Sequence, residues 1–169
     1  MALPSKLKNF NVFNDGVNYA GKVPEITLPK LSRKMEEIRS GGMDGGVEVD
    51  LGGELLTLEY TAGGIVREAI RQFGATSATA YMTRFAGAYQ RDDTGDVDAV
   101  EVVVRGRPKE IDMGNAKPGD DTAHKYSISC AYYKLTINGF VEIEIDRLNF
   151  IFNVGGVDRL AQQRRALGL

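Results

Sequence analysis

The stretch HKYSISCAYYKLTINGFVEIEID, residues 124–146, carries the clearest structural pattern in the sequence. Its second half alternates between apolar residues and carboxylates, in the order Val141, Glu142, Ile143, Glu144, Ile145 and Asp146. Such alternation gives a β-strand one apolar face and one polar face. Asn138-Gly139 lies between two strand-like runs and is a strong hairpin signal. The sequence therefore predicts a β-hairpin with three carboxylates along one face.

Two loop lengths are possible around Asn138-Gly139. A two-residue turn places Leu135 opposite Glu142, which mixes apolar and charged side chains on one face. A three-residue loop that begins at Ile137 aligns Leu135 with Val141 and places the glycine at a bulge. The other pairs predicted by this loop are Tyr133 with Ile143, Ala131 with Ile145, and Lys134 with Glu142. We therefore predict the three-residue loop Ile137-Asn138-Gly139.

The composition indicates one soluble domain covering residues 1–169. A chain of 169 residues can bury a sizeable core, and its net charge of −2 does not favour nucleic-acid binding. Its single cysteine, Cys130, excludes an intramolecular disulfide and a cysteine-based zinc site. The 20 glycines favour a β-rich fold with many turns.

Further segments with strand-like patterns support a mainly β fold. We predict a first hairpin through Asn14-Asp15-Gly16 and a long loop over Pro108–Thr122. The other predicted strands are Glu25–Leu28, Leu31–Arg39, Leu55–Tyr60, Tyr81–Gln90, Val97–Arg107 and Leu148–Val154. Helical spacing predicts one helix over Ile65–Phe73 and a short one within Gly156–Gly168. The predicted architecture is a β-sandwich or partial barrel with one flanking helix and a short C-terminal helix.

The glycine-rich run Ser40–Gly53 predicts a mobile loop that leads into a strand. It lacks the Gly-Lys-Ser/Thr ending of a phosphate loop, so a nucleotide site is not indicated. The first residues of this loop are Ser40, Gly41, Gly42, Met43, Asp44, Gly45 and Gly46.

The sequence contains no recognisable catalytic or metal-binding motif. His124 is the only histidine, and no nucleophile motif accompanies it. The acidic turn Arg91–Asp98 does not match a calcium-binding loop. Glu142, Glu144 and Asp146 follow one another on one strand face and do not converge across a cleft. We expect no enzymatic activity, no cofactor and no metal site.

No apolar run approaches the roughly 20 residues of a membrane span, and the first residues lack the apolar core of a signal peptide. We therefore expect a protein made in the cytoplasm that has no stable membrane association. The absence of a site, together with long alternating strands, favours binding or assembly, because exposed strand edges need a partner.

Several motifs in sequence order resemble one known family. They are MALPSKLKNFNVFNDGVNYAG at the start, LPKL at 28–31, RSGGMDGG at 39–46, RQFG at 71–74, RFAGAYQ at 84–90, VEVVVRGRPKEIDMGNAKPGDD from Val100, YYKLTINGF at 132–140 and GVDRLAQQRRALG at 156–168. Together they resemble the major tail tube proteins of contractile-tailed bacteriophages, a family that includes the tubes of R-type pyocins. The resemblance covers almost the whole chain.

The resemblance implies a β-sandwich with a flanking helix and a definite assembly. Six copies form a ring in which one sheet of each subunit joins a continuous β-barrel around a lumen. Rings stack into a tube inside the contractile sheath, and contraction drives the tube through the host envelope. In phages, DNA passes through the lumen without being bound.

The resemblance also implies partners, a location and two candidate sites. The partners are further copies of the chain, the sheath protein, the tape measure protein, and the baseplate and tail-terminator proteins. The location is a phage tail or a headless tailocin particle. Residues Ser40–Gly46 are expected to contact a neighbouring subunit or ring. Glu142, Glu144 and Asp146 face either the lumen or the sheath, and they are a candidate lumen lining because negative charge there would repel the phosphates of DNA.

Other functions remain open at this point. The tube of a type VI secretion machine shares the implied architecture and differs in its context. A carbohydrate-binding β-sandwich is disfavoured because the chain has no tryptophan to stack on a sugar. An enzyme would depend on His124 alone. Whether the particle has a DNA-filled head, and how long its tube is, does not follow from the residues.

Overall fold

The computed structural model describes all 169 residues, which form twelve strands and two short helices. The strands are β1 (Lys6–Asn14), β2 (Val17–Asn18), β3 (Glu25–Thr27), β4 (Arg33–Ile38), β5 (Val47–Gly53), β6 (Leu56–Ala62), β7 (Tyr81–Gln90), β8 (Val97–Asp112), β9 (His124–Ile137), β10 (Phe140–Asp146), β11 (Ile151–Val154) and β12 (Val157–Asp158). The helices are α1 (Arg67–Ile70) and α2 (Ala161–Leu167). Neither helix has the length and apolar character needed to cross a membrane.

Ten strands form one antiparallel sheet that branches at β9. Its main path runs β12-β11-β10-β9-β8-β7-β1-β2, and β6 pairs with both β9 and β3. The first half of β9, from His124 to Cys130, pairs with β6, while its second half, from Tyr132 to Ile137, pairs with β10. Strand β8 continues along both halves. The long strands β8 and β9 therefore belong to both branches of the sheet.

The branch point coincides with a close approach between two backbones. The pairing of β8 with β9 shifts register between Arg105 and Gly106. A Cβ atom at Gly106 would collide with the carbonyl oxygen of Ser129 and would also crowd Cys130. Only glycine fits this approach without a backbone shift, and glycine in a strand commonly marks such a bulge.

The two branches of the sheet enclose one hydrophobic core. Tyr19, which follows β2, lies 6.5 Å from the ring of Tyr60 on β6, and Tyr60 stacks on Tyr126 at 4.9 Å. The core also contains Val12, Leu56, Leu58, Ala62, Val66, Ala69, Phe85, Val102, Val104, Ile128, Cys130, Tyr133 and Ile145. The mainly β prediction is confirmed, and one branched sheet surrounds the core.

The hairpin at Asn138-Gly139 differs from the predicted register. Phe140 pairs with Ile137, so the turn has two residues and the predicted three-residue loop is wrong. Asn138 and Gly139 have φ of 49° and 82°, the left-handed conformation that a tight hairpin turn requires. Lys134 consequently lies opposite Glu144, and not opposite Glu142 as predicted.

A bulge in β10 restores the apolar alignment that favoured the longer loop. The register shifts between Val141 and Ile143, which places Ile143 opposite Leu135 and Ile145 opposite Tyr133. The apolar face is therefore continuous, as the hydrophobic pattern requires. The extra residue lies within the strand instead of the loop, a location that periodicity alone does not specify.

Helix α1 is shorter than the predicted span Ile65–Phe73. Ile65 and Phe73 are 69% and 58% exposed, so the ends of the predicted apolar stripe do not pack. The helix has no side-chain cap at Val66, and a helix without caps or length depends on packing. Gly74 has φ of 83° but lies beyond the C-cap residue, Arg71, so it does not close the helix at the C′ position.

Strand β8 extends beyond its predicted end at Arg107. It passes through Pro108, where a register shift between Pro108 and Glu110 accommodates the missing N–H donor, and ends at Asp112. The predicted loop Pro108–Thr122 is therefore wrong in its first part. The first hairpin, the strand Tyr81–Gln90 and the C-terminal helix are confirmed.

Candidate functional site

The residue types that most often carry catalysis are buried in the core. His124 and Cys130 are 7% and 8% exposed. Burial raises the pKa of the Cys130 thiol to about 11, so the reactive thiolate is scarce at neutral pH. No group of three or more histidine, cysteine, aspartate or glutamate side chains is arranged to hold a metal ion.

Strands β4 and β5 form a separate two-stranded sheet, residues 33–53, which we call the arm. Every residue of β4 is exposed, and most of β5 is exposed as well. All seven residues of the predicted contact loop, 40–46, lie at the tip of the arm, between its two strands. An isolated two-stranded hairpin is marginally stable in water, because neither face is buried. The arm is thus the part of the fold that packs least against the rest of its own chain.

The arm presents unusual surface chemistry on both faces. One face places Glu37 directly opposite Glu48, and like charges in this position are destabilising. The other face places Ile38 opposite Val47, and these side chains are 46% and 53% exposed. Exposed aliphatic pairs and an opposed carboxylate pair are both features that a partner surface can compensate.

The root of the arm is held to the body by two arginines. The Nε of Arg33 donates a hydrogen bond to Asp50 at 2.8 Å, and its guanidinium lies 5.0 Å from the centre of the Phe152 ring. Arg147 lies against Gly53 and donates to the carbonyl oxygen of Glu54 at 3.1 Å. The hydrogen bond from Arg33, with that from the Gly52 N–H, lowers the pKa of the Asp50 carboxyl.

A cavity of about 570 Å³ separates the root of the arm from α2. Its lining combines apolar and cationic side chains, and includes Leu51, Arg147, Phe150, Phe152, Leu160 and Gln163. Burial, together with the nearby charge of Arg33, lowers the pKa of Arg147. The cavity shows that the arm root and α2 border the same region of the surface.

The three predicted carboxylates of β10 do not have equivalent surroundings. Asp146 accepts hydrogen bonds from the backbone N–H groups of Leu148 and Asn149 and from the Asn149 amide, so it stabilises the turn before β11. Glu144 accepts a hydrogen bond from the Tyr132 hydroxyl at 3.3 Å. Glu142 lies in the bulge of β10.

Basic side chains share the face of the sheet that carries these carboxylates. We call this face, which is opposite to the core, the outer face of β7–β10. The register places Glu144, Lys134, Val103 and Arg84 in one cross-strand row, and Asp146, Tyr132, Arg105 and Met82 in the next. Arg84 also forms an ion pair with Glu101 at 3.0 Å. The outer face therefore has mixed charge.

Strand β1 has an open edge that sequence reasoning missed. The Tyr19 N–H donates to the carbonyl oxygen of Val12, so the backbone groups of Val12 point away from β7. Strand β2 covers only Phe13 and Asn14, which leaves the earlier part of β1 without a partner strand on this side.

Asparagine side chains satisfy the donors on this open edge. The Val12 N–H donates to Asn11 Oδ1 and the Phe10 N–H donates to Asn9 Oδ1, both at 2.9 Å. Alternating asparagines in a strand-like run, NFNVF at 9–13, were the available signal. These caps satisfy the two donors without another strand, which protects the edge from unwanted pairing with other chains.

The C-terminal segment 157–167, which we call the α2 surface, is a second weakly packed region. Helix α2 has no buried residue, while Val157 and Leu167 are 54% and 63% exposed. Arg164 forms an ion pair with Asp158, and Arg159 and Arg165 are exposed without an ion-pair partner. The end of α2 therefore carries one arginine paired with Asp158, Arg164, and one exposed arginine, Arg165.

These features define a class of protein: a small antiparallel β subunit with an open strand edge, a projecting arm and no recognisable catalytic or metal centre. The chain belongs to the phage tail tube protein FII family, whose model matches residues 4–168. It is thus a structural subunit of a contractile tail tube, and the resemblance seen in its sequence motifs is confirmed.

Known relatives agree with this assignment. The chain is 51% identical over 172 residues to the tail tube protein of Escherichia phage P2, with 100% of both chains covered. It is 44% identical over 158 residues to the major tail tube protein of Serratia phage KSP20, covering 92% of this chain and 91% of that one. The fold also resembles the sheath/tube terminator structure of the PVC extracellular contractile injection system, with a TM-score of 0.60, 9% identity, and coverage of 79% and 96%.

Proposed function

We propose that the whole chain acts as one tail-tube domain, six copies of which form a ring, and that the rings stack into a hollow tube inside a contractile sheath. The observation that carries this proposal is the open edge of β1 in a member of the tail tube family. A barrel built from several copies removes such edges by pairing each one with a neighbouring chain. The single core, which draws residues from Val12 to Ile145, supports a domain of this extent.

Ring formation requires the side chains of Asn9 and Asn11 to release the backbone N–H groups that they now accept from. In a continuous barrel the N–H groups of Phe10 and Val12 donate to a strand of the neighbouring subunit, and Asn9 and Asn11 rotate aside. The exchange replaces two local hydrogen bonds with two from the ladder, so its net effect on stability is small. Additional ladder bonds and side-chain contacts along the seam then favour the ring.

The arm is the second contact between subunits. Its tip, residues 40–46, lies farthest from its root, and its exposed aliphatic and acidic side chains lack partners within the chain. We assign it a contact with a neighbouring subunit or ring. The conformational freedom of the tip glycines suits a segment that becomes ordered on contact.

The outer face of β7–β10, with Glu142, Glu144 and Asp146 at one side, is assigned to the lumen. Glu144 lies directly opposite Lys134, and Glu101 forms an ion pair with Arg84, so acidic side chains offset cations of the proposed wall. Strong binding of DNA depends on lysine and arginine that neutralise phosphates. A wall in which acids offset these cations allows DNA to pass with little adhesion.

The implied partners follow from the architecture of the family. They are the sheath protein outside the tube, the tape measure protein within it during assembly, and the baseplate and terminator proteins at its ends. The particle is a phage tail or a headless tailocin, assembled in the bacterial cytoplasm. Injection drives the tube through the host envelope and requires no stable membrane association.

Electron microscopy of the concentrated purified chain, with and without its baseplate components, tests this proposal. Hollow tubes with sixfold symmetry are expected. A chain that remains monomeric under all of these conditions, or that forms rings of another symmetry, would contradict it.

A further inference from the structure

We propose that the outer half of the arm in one copy, residues 36–48, docks on the α2 surface of a second copy, and that this contact stacks the rings. The inference rests on the proposed function and specifies the two surfaces that meet. We call residues 36–48 the outer arm. The two surfaces are complementary in charge, in apolar character and in position.

The charges of the two surfaces are opposite. The outer arm contains four carboxylates, on Glu36, Glu37, Asp44 and Glu48, against one guanidinium, on Arg39. The α2 surface contains three arginines against Asp158. The ion pair of Arg164 with Asp158 leaves Arg159 and Arg165 available. Cations placed beside Glu37 and Glu48 relieve the repulsion of that opposed pair.

Both surfaces also expose apolar side chains beside their charges. Ile38 and Val47 form one exposed pair on the arm, while Val157 and Leu167 are exposed on the α2 surface. A mixed surface of this kind can bury aliphatic groups at its centre and keep ion pairs at its rim. Stable interfaces commonly have this arrangement.

The position of the arm directs the contact to another copy. The arm root and α2 line the same cavity, so the two elements are adjacent at the base of the arm. Ile38 lies five residues beyond Arg33, which corresponds to about 16 Å of extended strand. Ile38 and Val47 remain about half exposed at that distance, so the outer arm is free to meet another copy.

A contact between two different surfaces of identical chains is heterologous. Such a contact repeats from copy to copy without closing unless the rotation completes a ring. We assign the non-closing arrangement to this contact, so that each arm joins its subunit to one in the next ring. This geometry suits the stacking of rings.

Charge reversal tests the pairing directly. Glu37→Arg with Glu48→Arg, and separately Arg159→Glu with Arg165→Glu, should each raise the protein concentration needed for tube formation by at least about tenfold, because like charges across an interface are strongly disfavoured. The chain with all four changes should recover most of the loss. Tubes are measured by sedimentation and electron microscopy.

A matched control reverses two acids elsewhere on the surface. Glu25→Arg with Glu59→Arg changes the net charge by the same amount on exposed residues of β3 and β6, and it should leave stacking unchanged. If the arm variant stacks like the unmodified chain, or loses only its binding to sheath protein, the proposed pairing is wrong. Failure of the fourfold variant to recover also overturns it.

Cysteine pairing provides a second test that does not depend on tube length. Ile38→Cys combined with Leu167→Cys should form a ladder of disulfide-linked chains under mild oxidation, whereas either change alone should give dimers at most. The native Cys130 is buried and does not compete. A double variant that forms tubes without a ladder contradicts the pairing and leaves the proposed function intact. An unmodified chain that never forms tubes contradicts the proposed function.

Discussion

The branched sheet and the arm are both built from antiparallel strand pairs. The sheet buries its apolar residues, whereas the arm exposes them. In the sheet, Leu58 and Tyr60 of β6 are almost fully buried against residues of other strands. In the arm, Ile38 and Val47 face each other across two strands and remain about half exposed. Both regions therefore contain cross-strand apolar contacts, and those of the arm have no covering layer within the chain.

The difference identifies the part of the surface that the proposed assembly would complete. Each large aliphatic side chain that a strand buries stabilises the folded chain by roughly 1.5–3 kcal/mol. The arm gains little of this energy within one chain, and it also carries an opposed pair of carboxylates. Its sequence is best explained by an environment that forms only in the assembly.

The largest expected effect comes from a cavity in the sheet. Leu58→Ala removes a side chain that is 1% exposed, and should lower the free energy of unfolding by about 2–5 kcal/mol. The matched change in the arm, Met35→Ala, should lower it by less than about 0.5 kcal/mol. Urea unfolding monitored by circular dichroism measures both. Equal losses in the two variants would mean that the arm is packed in the free chain.

A glycine comparison sharpens the same contrast. Gly106→Ala places a methyl group against the backbone of Ser129 and should destabilise the chain by about 1–3 kcal/mol. Gly41→Ala adds a methyl group in open space at the tip of the arm, so unfolding should be almost unchanged. Thermal unfolding of the two variants provides the measurement. A neutral Gly106→Ala would contradict the close approach at the branch point.

The open edge of β1 lies between these extremes. Asn9→Ala with Asn11→Ala removes both caps and should cost about 0.5–1.5 kcal/mol per lost hydrogen bond. The uncapped edge should also increase association of the free chain, which light scattering at a fixed concentration detects. Asn18→Ala, which removes a side-chain hydrogen bond to Ala20 outside this edge, is the control and should leave scattering unchanged. Unchanged scattering in the double variant would show that the caps do not protect the edge.

The smallest expected effect concerns the root of the arm. The pKa of Asp50 is lowered in the folded chain, so its contribution to stability is present above the unfolded pKa and is lost as pH falls through the folded pKa. Arg33→Gln should raise the pKa of Asp50 toward its ordinary value, as measured by NMR titration of the carboxyl carbon. The result expected for Lys34→Gln, the neighbouring cation, is no such rise. A pKa of Asp50 that is unaffected by Arg33→Gln would rule out this hydrogen bond.

Periodicity predicted most strands because alternation reports directly on one buried face. Tyr81–Gln90 matches β7 at both ends, and the first hairpin and the C-terminal helix were also found. The predicted loop length at Asn138-Gly139 was wrong. The hydrophobic pattern requires one extra residue in the hairpin but does not say whether that residue lies in the loop or in a strand. Strand β10 accommodates that residue in a bulge, which keeps the apolar face continuous.

Features that depend on distant residues were less predictable. The sequence predicts that a loop begins at Pro108, whereas a bulge against β9 keeps this residue within β8. The sequence predicts Lys134 beside the carboxylates of β10, whereas Arg105 and Arg84 join the same face only through the register of β7 and β8 with β9. The asparagine caps on β1 depend on which side of the strand remains open, and only the topology supplies that information.

Hydrogen exchange in the free chain and in assembled tubes tests the central claim most directly, because it compares the arm and the sheet in the same sample. Amides of β4 and β5 should exchange rapidly in the free chain and become protected by at least about tenfold in tubes, while those of β6 and the first half of β9 should be protected in both states. An arm that exchanges equally fast before and after assembly, or that is already protected in the free chain, would contradict the view that the assembly completes it.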